Sequence, residues 1–301
     1  MPTIDVKNIT KSFGTQKVVD GVSFEVNDGE IFGLLGPNGA GKTTTIRILL
    51  DIFKPDSGSI SILGGAMSES KKDLIGYMPE ERGLYQDIQM DKCLVYLATL
   101  KGISRQESSK RVATWLERFD LSAHSHKKMK ELSKGMQQKA QLIATLIHEP
   151  RVVIIDEPFS ALDPVNTQMV KDILKELRAK GITIVMCTHQ MHQVEELCDR
   201  LVLINKGKSM LYGSLEAIQN QYTGHDVLLK TRGVLPEMDF VLQSEKTNGS
   251  SYRVSLPAGI SSQQYLRLLI EKNVDVEQFE VAVPTLDEIF IQVVQAEAVA
   301  G

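Results

Sequence analysis

The sequence predicts an α/β protein: a mainly parallel sheet with an antiparallel β-edge, an inserted helical stretch, and a small α+β unit after it. Three observations predict it. A glycine-rich turn, Gly36-Pro37-Asn38-Gly39-Ala40-Gly41-Lys42-Thr43, joins a strand-like run to a helix-like run. Continuous apolar runs recur at 152–155 and 182–186 with helical sequence between them, the pattern of strands buried on both faces. From about residue 221 the chain turns polar, and a fresh set of short strand and helix signals begins.

Taken in order, residues 4–9 and 22–26 alternate apolar and polar, with turn residues at 13–15 and 27–29, and read as the antiparallel β-edge. Residues 30–35 are strand-like, and Thr44-Thr45-Ile46-Arg47-Ile48-Leu49-Leu50 starts a helix. Pro55-Asp56-Ser57-Gly58 turns the chain into a short strand at 59–63, and Ile75-Gly76-Tyr77-Met78 is another. From about 91 to 150 the period becomes helical. Leu94, Leu97, Ala98 and Leu100 are expected on one apolar face, and Val112, Trp115, Leu116 and Phe119 on a second. Val202-Leu203-Ile204 and Ser209-Met210-Leu211-Tyr212 flank Asn205-Lys206-Gly207 as a hairpin. In the second unit, strands are expected near 227–230, 240–243, 252–256 and 274–281, with helices near 261–271 and 285–294.

The totals bound the function. A chain of 301 residues suggests two domains and a substantial core. Hydrophobic content of 42% and charged content of 24% are those of an ordinary globular protein. A net charge of −4 gives no electrostatic case for nucleic acid, and no nucleic-acid partner is expected. Cys93, Cys187 and Cys198 lack metal-ligand spacing and read as free thiols in a reducing compartment. No signal peptide is read at the N-terminus, and no apolar stretch approaches the roughly 18 residues that span a bilayer. The expected place is the cytoplasm, or the cytoplasmic face of the cell membrane as a peripheral subunit.

The turn at 36–43 names a ligand. Glycines let successive backbone N–H groups turn inward around a phosphate, and the following helix presents its positive end. Lys42 is expected to reach the β- and γ-phosphates, and the Thr43 hydroxyl to ligate Mg²⁺, with Thr44 beside it. A nucleoside triphosphate is therefore the expected ligand. The strand at 152–155 ends in Asp156-Glu157-Pro158, which puts two carboxylates at the carboxyl edge of the sheet, where ligands of such folds bind. Asp156 is expected to hold Mg²⁺ and Glu157 to polarise the attacking water.

Ser133, in Leu132-Ser133-Lys134-Gly135-Met136-Gln137-Gln138, is a good helix N-cap whatever else it does. Standing shortly before Asp156-Glu157, that segment resembles the signature motif of ATP-binding-cassette (ABC) ATPases. The same resemblance covers Ser160-Ala161-Leu162-Asp163 as the D-loop, Thr188-His189 as the switch histidine, Ile75-Gly76-Tyr77-Met78-Pro79 leading into the Q-loop, and Phe13 as the aromatic that stacks on adenine. It spans residues 3–220 in order. What it implies is a P-loop NTPase core with an antiparallel β subdomain and an inserted α-helical subdomain at about 85–150, plus a small C-terminal α+β domain. The boundaries are 1–220 for the ATP-binding domain and 221–301 for the accessory domain. It also implies ATP and Mg²⁺ as cofactors, catalytic roles for Glu157, His189 and Lys42, and a homodimer or heterodimer that sandwiches ATP between the phosphate loop of one subunit and Ser133, Gly135 and Asp163 of the other.

Three departures qualify the resemblance: Lys134 and Met136 stand where the signature usually has Gly and Gln, Phe13 replaces the commoner Tyr, and Glu80 occupies the Q-loop position. A carboxylate there either ligates Mg²⁺ or is neutralised by Arg82 or Lys72. His124 and His126 read as a solvated basic loop without an acidic partner. A cassette without spanning segments implies a separate membrane permease, with Leu84, Tyr85, Tyr96 and Leu97 as candidate lining of the groove that receives it. Pro284-Thr285-Leu286-Asp287-Glu288-Ile289-Phe290 resembles the ends of subunits paired with export-type permeases, though Pro-Thr-x-x-Glu also reads as a capped helix. The alternative is a soluble cassette ATPase acting on DNA or ribosomes. A kinase or GTPase is disfavoured, because Asn205-Lys206-Gly207-Lys208 lacks the Asp of a guanine-reading segment.

Overall fold

The structure is a computed structural model. It describes residues 2–300 apart from 82, 225, 233, 234, 237, 239, 240, 242, 247–249 and 258, and the side chains of those residues up to 296. The chain forms two compact units, Met1–Leu215 and Glu216–Gly301.

The first unit opens with β1 (Ile4–Phe13) and β2 (Gln16–Val26), an antiparallel pair with Val6 opposite Phe24. Their alternation sorts the two faces: Ile4, Val6, Val22, Phe24 and Val26 are buried while Lys7, Ser23 and Glu25 face out. Next come β3 (Ile31–Leu35), α1 (Lys42–Leu49) and β4 (Ser57–Ile62), which adds antiparallel to β1 with Ile62 opposite Ile4. A short α2 (Glu69–Lys72) precedes β5 (Ile75–Met78).

The helical insert comes next: α3 (Met90–Leu100), α4 (Arg105–Arg118), two 3₁₀ turns (Ser122–His124 and Met129–Glu131) and α5 (Lys134–Leu146). Leu94 and Ala98 are fully buried on α3. Leu100, expected on the same face, is exposed: six residues from Leu94 is about 240° round the helix, and with Leu97 it lines a groove. Trp115 is half-buried, with the Arg118 guanidinium 4.7 Å from its ring centroid.

The chain then completes the sheet with β6 (Val152–Asp156), α6 (Pro164–Ala179), β7 (Thr183–Thr188), α7 (Met191–Leu197), β8 (Arg200–Asn205) and β9 (Lys208–Ser214). Among the described residues its order is β5-β6-β7-β3-β8-β9, parallel except for the β8–β9 hairpin. Every residue of β3, β6 and β7 is buried, as their uninterrupted apolar runs require. The register places Leu35 opposite Thr188 and Asp156 opposite Cys187. The carboxyl ends of these three strands therefore meet at one edge, and the residues just beyond each strand are delivered there.

The second unit holds α8 (Leu215–Tyr222), which begins at the boundary, then β10 (Asp226–Thr231), β11 (Gln243–Lys246), β12 (Ser251–Ser255), α9 (Ser262–Glu271), β13 (Val276–Val281) and α10 (Leu286–Ala300). Its antiparallel sheet runs β11-β12-β10-β13 around a small core of Val227, Leu229, Val254, Tyr265 and Leu269. The expected strand at 240–243 is displaced to β11; residues 240 and 242 lie outside the described set. The Pro-Thr-x-x-Glu segment is a reciprocal cap: the Thr285 amide donates to Glu288 Oε2 at 3.0 Å, and the Glu288 amide to Thr285 Oγ1 at 3.2 Å.

Candidate functional site

Two glycines of the 36–43 turn are required by their surroundings. Gly36 has φ 148°, and a Cβ on it would stand 2.1 Å from the Ile204 carbonyl oxygen. Gly41 has φ 105°, with the Val18 carbonyl 2.6 Å from such an atom. The loop is braced from outside by the β8–β9 turn, where the Gly207 amide donates to Ala40 O at 2.9 Å. Lys42 starts α1 and is buried, and its ammonium donates to the carbonyls of Gly36 (2.7 Å) and Pro37 (3.1 Å). The cation is thus held inside the curve of its own loop.

Residues 38–44 line a cleft of about 270 Å³ together with Val18, Glu80, Asp156 and Glu157. Asn38, Gly39, Ala40, Gly41, Lys42, Thr43 and Thr44 therefore share one concavity with the two carboxylates at the end of β6. The Thr43 hydroxyl donates to Asp156 Oδ2 at 3.2 Å. Burial raises the Asp156 carboxyl above the ordinary range, partly offset by hydrogen bonds from Cys187 and Thr43.

That shift has a stability consequence. With its folded pKa raised, Asp156 binds its proton more tightly in the folded state, so stability falls as pH rises from the ordinary carboxylate value through the raised one. Above the ordinary carboxylate range, buried Asp156 therefore costs stability. Asp156→Asn is expected to raise the thermal midpoint of the nucleotide-free protein at neutral pH, and the gain should vanish in acid. A lower midpoint for the variant at neutral pH would contradict this.

Glu157 has φ 50°, a left-handed conformation that costs a non-glycine residue about 1–3 kcal/mol and persists where surrounding contacts fix it. Those contacts are present. The Glu157 amide donates to Cys187 O at 2.9 Å. The carboxylate accepts from the Thr188 hydroxyl (3.1 Å) and the His189 amide (2.9 Å), and lies 2.6 Å from His189 Nδ1. β7 thus delivers Thr188 and His189 directly onto Glu157.

The remaining expected residues lie elsewhere. Glu80 is exposed on the cleft wall. Lys72, a candidate to neutralise it, is paired with Glu69 at 2.6 Å instead, and Arg82 lies outside the described residues. Phe13 does not line the cleft; its half-exposed ring stands edge-on to Phe53 at 5.4 Å. Ser133 caps α5 by accepting from the Met136 amide at 3.2 Å, and Asp163 caps α6 by accepting from the Asn166 amide at 2.9 Å. Ser133, Gly135 and Asp163 are outside the cleft lining, so one chain does not bring them to Lys42. Gly135 packs against the D-loop: a Cβ there would be 2.9 Å from Ala161 O.

Two expectations need correction. His126 has an acidic partner, Asp91 Oδ2 at 2.9 Å, which the fold brings from the start of α3. Leu84 and Leu97 line a groove of about 660 Å³ between the insert and the core, but Tyr85 and Tyr96 do not. The two rings pack edge-on at 5.9 Å, and Tyr96 lines a separate groove between α3 and α4. Sequence reasoning missed Val18, Gln138 and Gln141. The last two are ordinary helix residues by pattern, and only their long-range bonds mark them.

A phosphate loop after the central strand, with two carboxylates ending a strand of the same sheet, defines a P-loop nucleoside triphosphatase. Comparison with known proteins carries this to a family. The family described as ABC transporter matches residues 19–160, and the ATP-binding protein DrrA1-3-like C-terminal domain matches 213–294. The "Uncharacterized ABC transporter ATP-binding protein YhaQ" of Bacillus subtilis (strain 168) is 40% identical over 299 residues, covering 98% of this chain and 99% of that protein. The "Nod factor export ATP-binding protein I" of Rhizobium sp. (strain N33) is 37% identical over 228 residues, 75% of each chain. A solved "Structure of ATP binding subunit of ABC transporter" superposes with TM-score 0.69 at 33% identity, covering 73% of this chain and 93% of that one. The chain belongs to the ATP-binding subunits of ABC transporters. It is an ATPase that binds ATP and works with a membrane permease; among the described residues no helix is long and apolar enough to cross a membrane.

Proposed function

We propose that this subunit powers export from the cytoplasmic face of a membrane, with Glu157 as the base that polarises the attacking water and His189 as the group that positions it. The observation that carries the reading is the Glu157 carboxylate, fixed by Thr188 and His189 at the wall of the phosphate-loop cleft. In-line attack on a γ-phosphate needs a cradle, a cation and an oriented water. Lys42 and the backbone N–H groups of residues 38–43 supply the cradle.

The residues present fit Mg²⁺. Thr43 and Asp156 offer hard oxygen donors 3.2 Å apart, and a divalent cation would offset the burial cost of the Asp156 carboxylate. Thr43 and Asp156 would hold the ion, which when bound would supply neutralisation of the triphosphate's charge. Glu80 on the same wall is a third proposed ligand. Glu80→Gln is expected to shift the Mg²⁺ concentration for half-maximal hydrolysis with the fold intact. An unmoved titration curve would remove Glu80 from the ligand set.

Dimerisation completes the site. Ser133, Gly135 and Asp163, displaced from Lys42 within one chain, are proposed to meet the triphosphate held by a second copy or a relative, with Phe13 against the adenine. Residues 1–220 then form the catalytic domain, and 221–301 an accessory domain. Export rests on the similarity to a Nod factor export subunit and on the resemblance of residues 284–290 to the ends of subunits paired with export-type permeases. Loss of uptake, rather than of secretion or resistance, on deleting the chain would reverse the direction.

A further inference from the structure

Helix α5 carries more than Ser133 at its tip. Gln138, Lys139 and Gln141 lie within one turn of it and are at most 6% exposed; Gln138 and Gln141 reach segments on the cleft wall, and Lys139 reaches the first turn of α6. Gln138 Nε2 donates to the carbonyls of Glu157 (3.0 Å) and Pro158 (3.2 Å). Lys139 Nζ donates to Asn166 Oδ1 at 3.0 Å, and Asn166 Nδ2 donates to Asp163 Oδ2 at 2.6 Å. Gln141 Nε2 donates to the carbonyls of Pro79 (2.8 Å) and Glu81 (3.2 Å).

Burying three polar side chains on one helix is unfavourable unless each is bonded, and an apolar face would pack at lower cost. All three donate to backbone or to a helix cap elsewhere in the sequence, while Gln141 Oε1 is left buried without a partner, a cost that its two donor bonds offset. The Gln141 clamp is the most specific of them, because its two acceptors are the residues on either side of Glu80. Its amide orientation is also fixed: turned over, its oxygen would face two carbonyl oxygens.

We propose that Gln141 is a positioning residue for hydrolysis, holding the Glu80 segment in place relative to the helix whose N-terminus carries Ser133 and Gly135. The segment that faces the triphosphate then moves with α5, and α5 moves with Glu157 through Gln138. Docking of Ser133 on a nucleotide and placement of Glu80 and Glu157 become one motion of a single rigid element. The proposal rests on the reading of Glu157 as the base at the phosphate-loop cleft.

The test is Gln141→Met, which keeps the length and bulk and removes both donors. Expected are a fall in kcat of about tenfold, an ATP dissociation constant within about twofold of wild type, a thermal midpoint only slightly lowered, and faster amide hydrogen exchange confined to the Glu80–Glu81 segment. Gln141→Glu, of the same shape but with an acceptor facing acceptors, should be at least as impaired. Wild-type kcat with unchanged exchange at Glu80–Glu81 would overturn the proposal. So would a parallel loss of thermal stability and ATP binding, which marks a merely structural residue. Glu157→Gln assayed beside it separates the two readings: if Glu157→Gln is inactive while Gln141→Met is normal, only the Gln141 inference fails. If Glu157→Gln turns over normally, the reading of Glu157 fails with it.

Discussion

Glu157→Gln should bind ATP as tightly as wild type and lose at least about 100-fold in turnover, the lower range of what a positioned general base contributes. The replacement keeps the shape of the side chain: its one oxygen can still accept from the His189 amide, now 2.9 Å from Glu157 Oε1, and its NH2 can donate to the Thr188 hydroxyl oxygen, which now donates to Oε2 at 3.1 Å. The left-handed turn at residue 157 is held through the backbone as well, by Cys187 O and by Gln138, so the variant should fold and bind nucleotide. What it loses is an acceptor basic enough to draw a proton from water. Steady-state phosphate release together with nucleotide titration checks both halves. Turnover within a few-fold of wild type would remove Glu157 as the base.

Lys42→Ala is expected to weaken ATP binding by about 100-fold, equivalent to about 2.8 kcal/mol at 1.4 kcal/mol per decade. One charge-assisted hydrogen bond is worth about 1.5–3 kcal/mol, and a buried ammonium that turns from its own loop to two phosphates makes more than one. Part of the gain is offset, because Lys42 must give up the Gly36 and Pro37 carbonyls at 2.7 and 3.1 Å. The same bonds predict a secondary loss: without Lys42 the Gly36 carbonyl loses the ammonium, while Pro37 O keeps the Ala40 amide at 3.1 Å, and the nucleotide-free protein should melt at a slightly lower temperature. Isothermal titration with ATP reads the first effect and a melting curve the second. Undiminished affinity would place the phosphates away from Lys42.

Much of the cleft is legible in the sequence because its parts carry local signals. Glycines with positive φ, a Lys at a helix start and two carboxylates closing an apolar strand each mark themselves within a few residues. The parallel sheet is legible for a similar reason: β3, β6 and β7 are buried on both faces and cannot alternate. What stays hidden depends on residues far apart in sequence. Gln138 and Gln141 look like a solvated helix face until the sheet brings Glu157 and Pro79 to them. His126 looks unpartnered because Asp91 stands 35 positions away. Leu100 is exposed because, two residues on from Ala98, it falls about 200° from the buried face of the helix. Tyr96 shares a helix with Leu97 but lines the other side of it.

The separation of Ser133, Gly135 and Asp163 from the Lys42 cleft is the feature on which the account depends, because a single chain then holds only part of the site. A helix N-terminus with a hydroxyl and a close-packed glycine offers donors to an anion, and the second copy's γ-phosphate is the anion it is proposed to meet. The most direct measurement is the mass of Glu157→Gln by size-exclusion chromatography with light scattering, with and without ATP and Mg²⁺. The account predicts a monomer without nucleotide, a dimer with it, and loss of that dimer when Ser133→Arg is added. A dimer equally abundant without nucleotide, or one undiminished by Ser133→Arg, would contradict it.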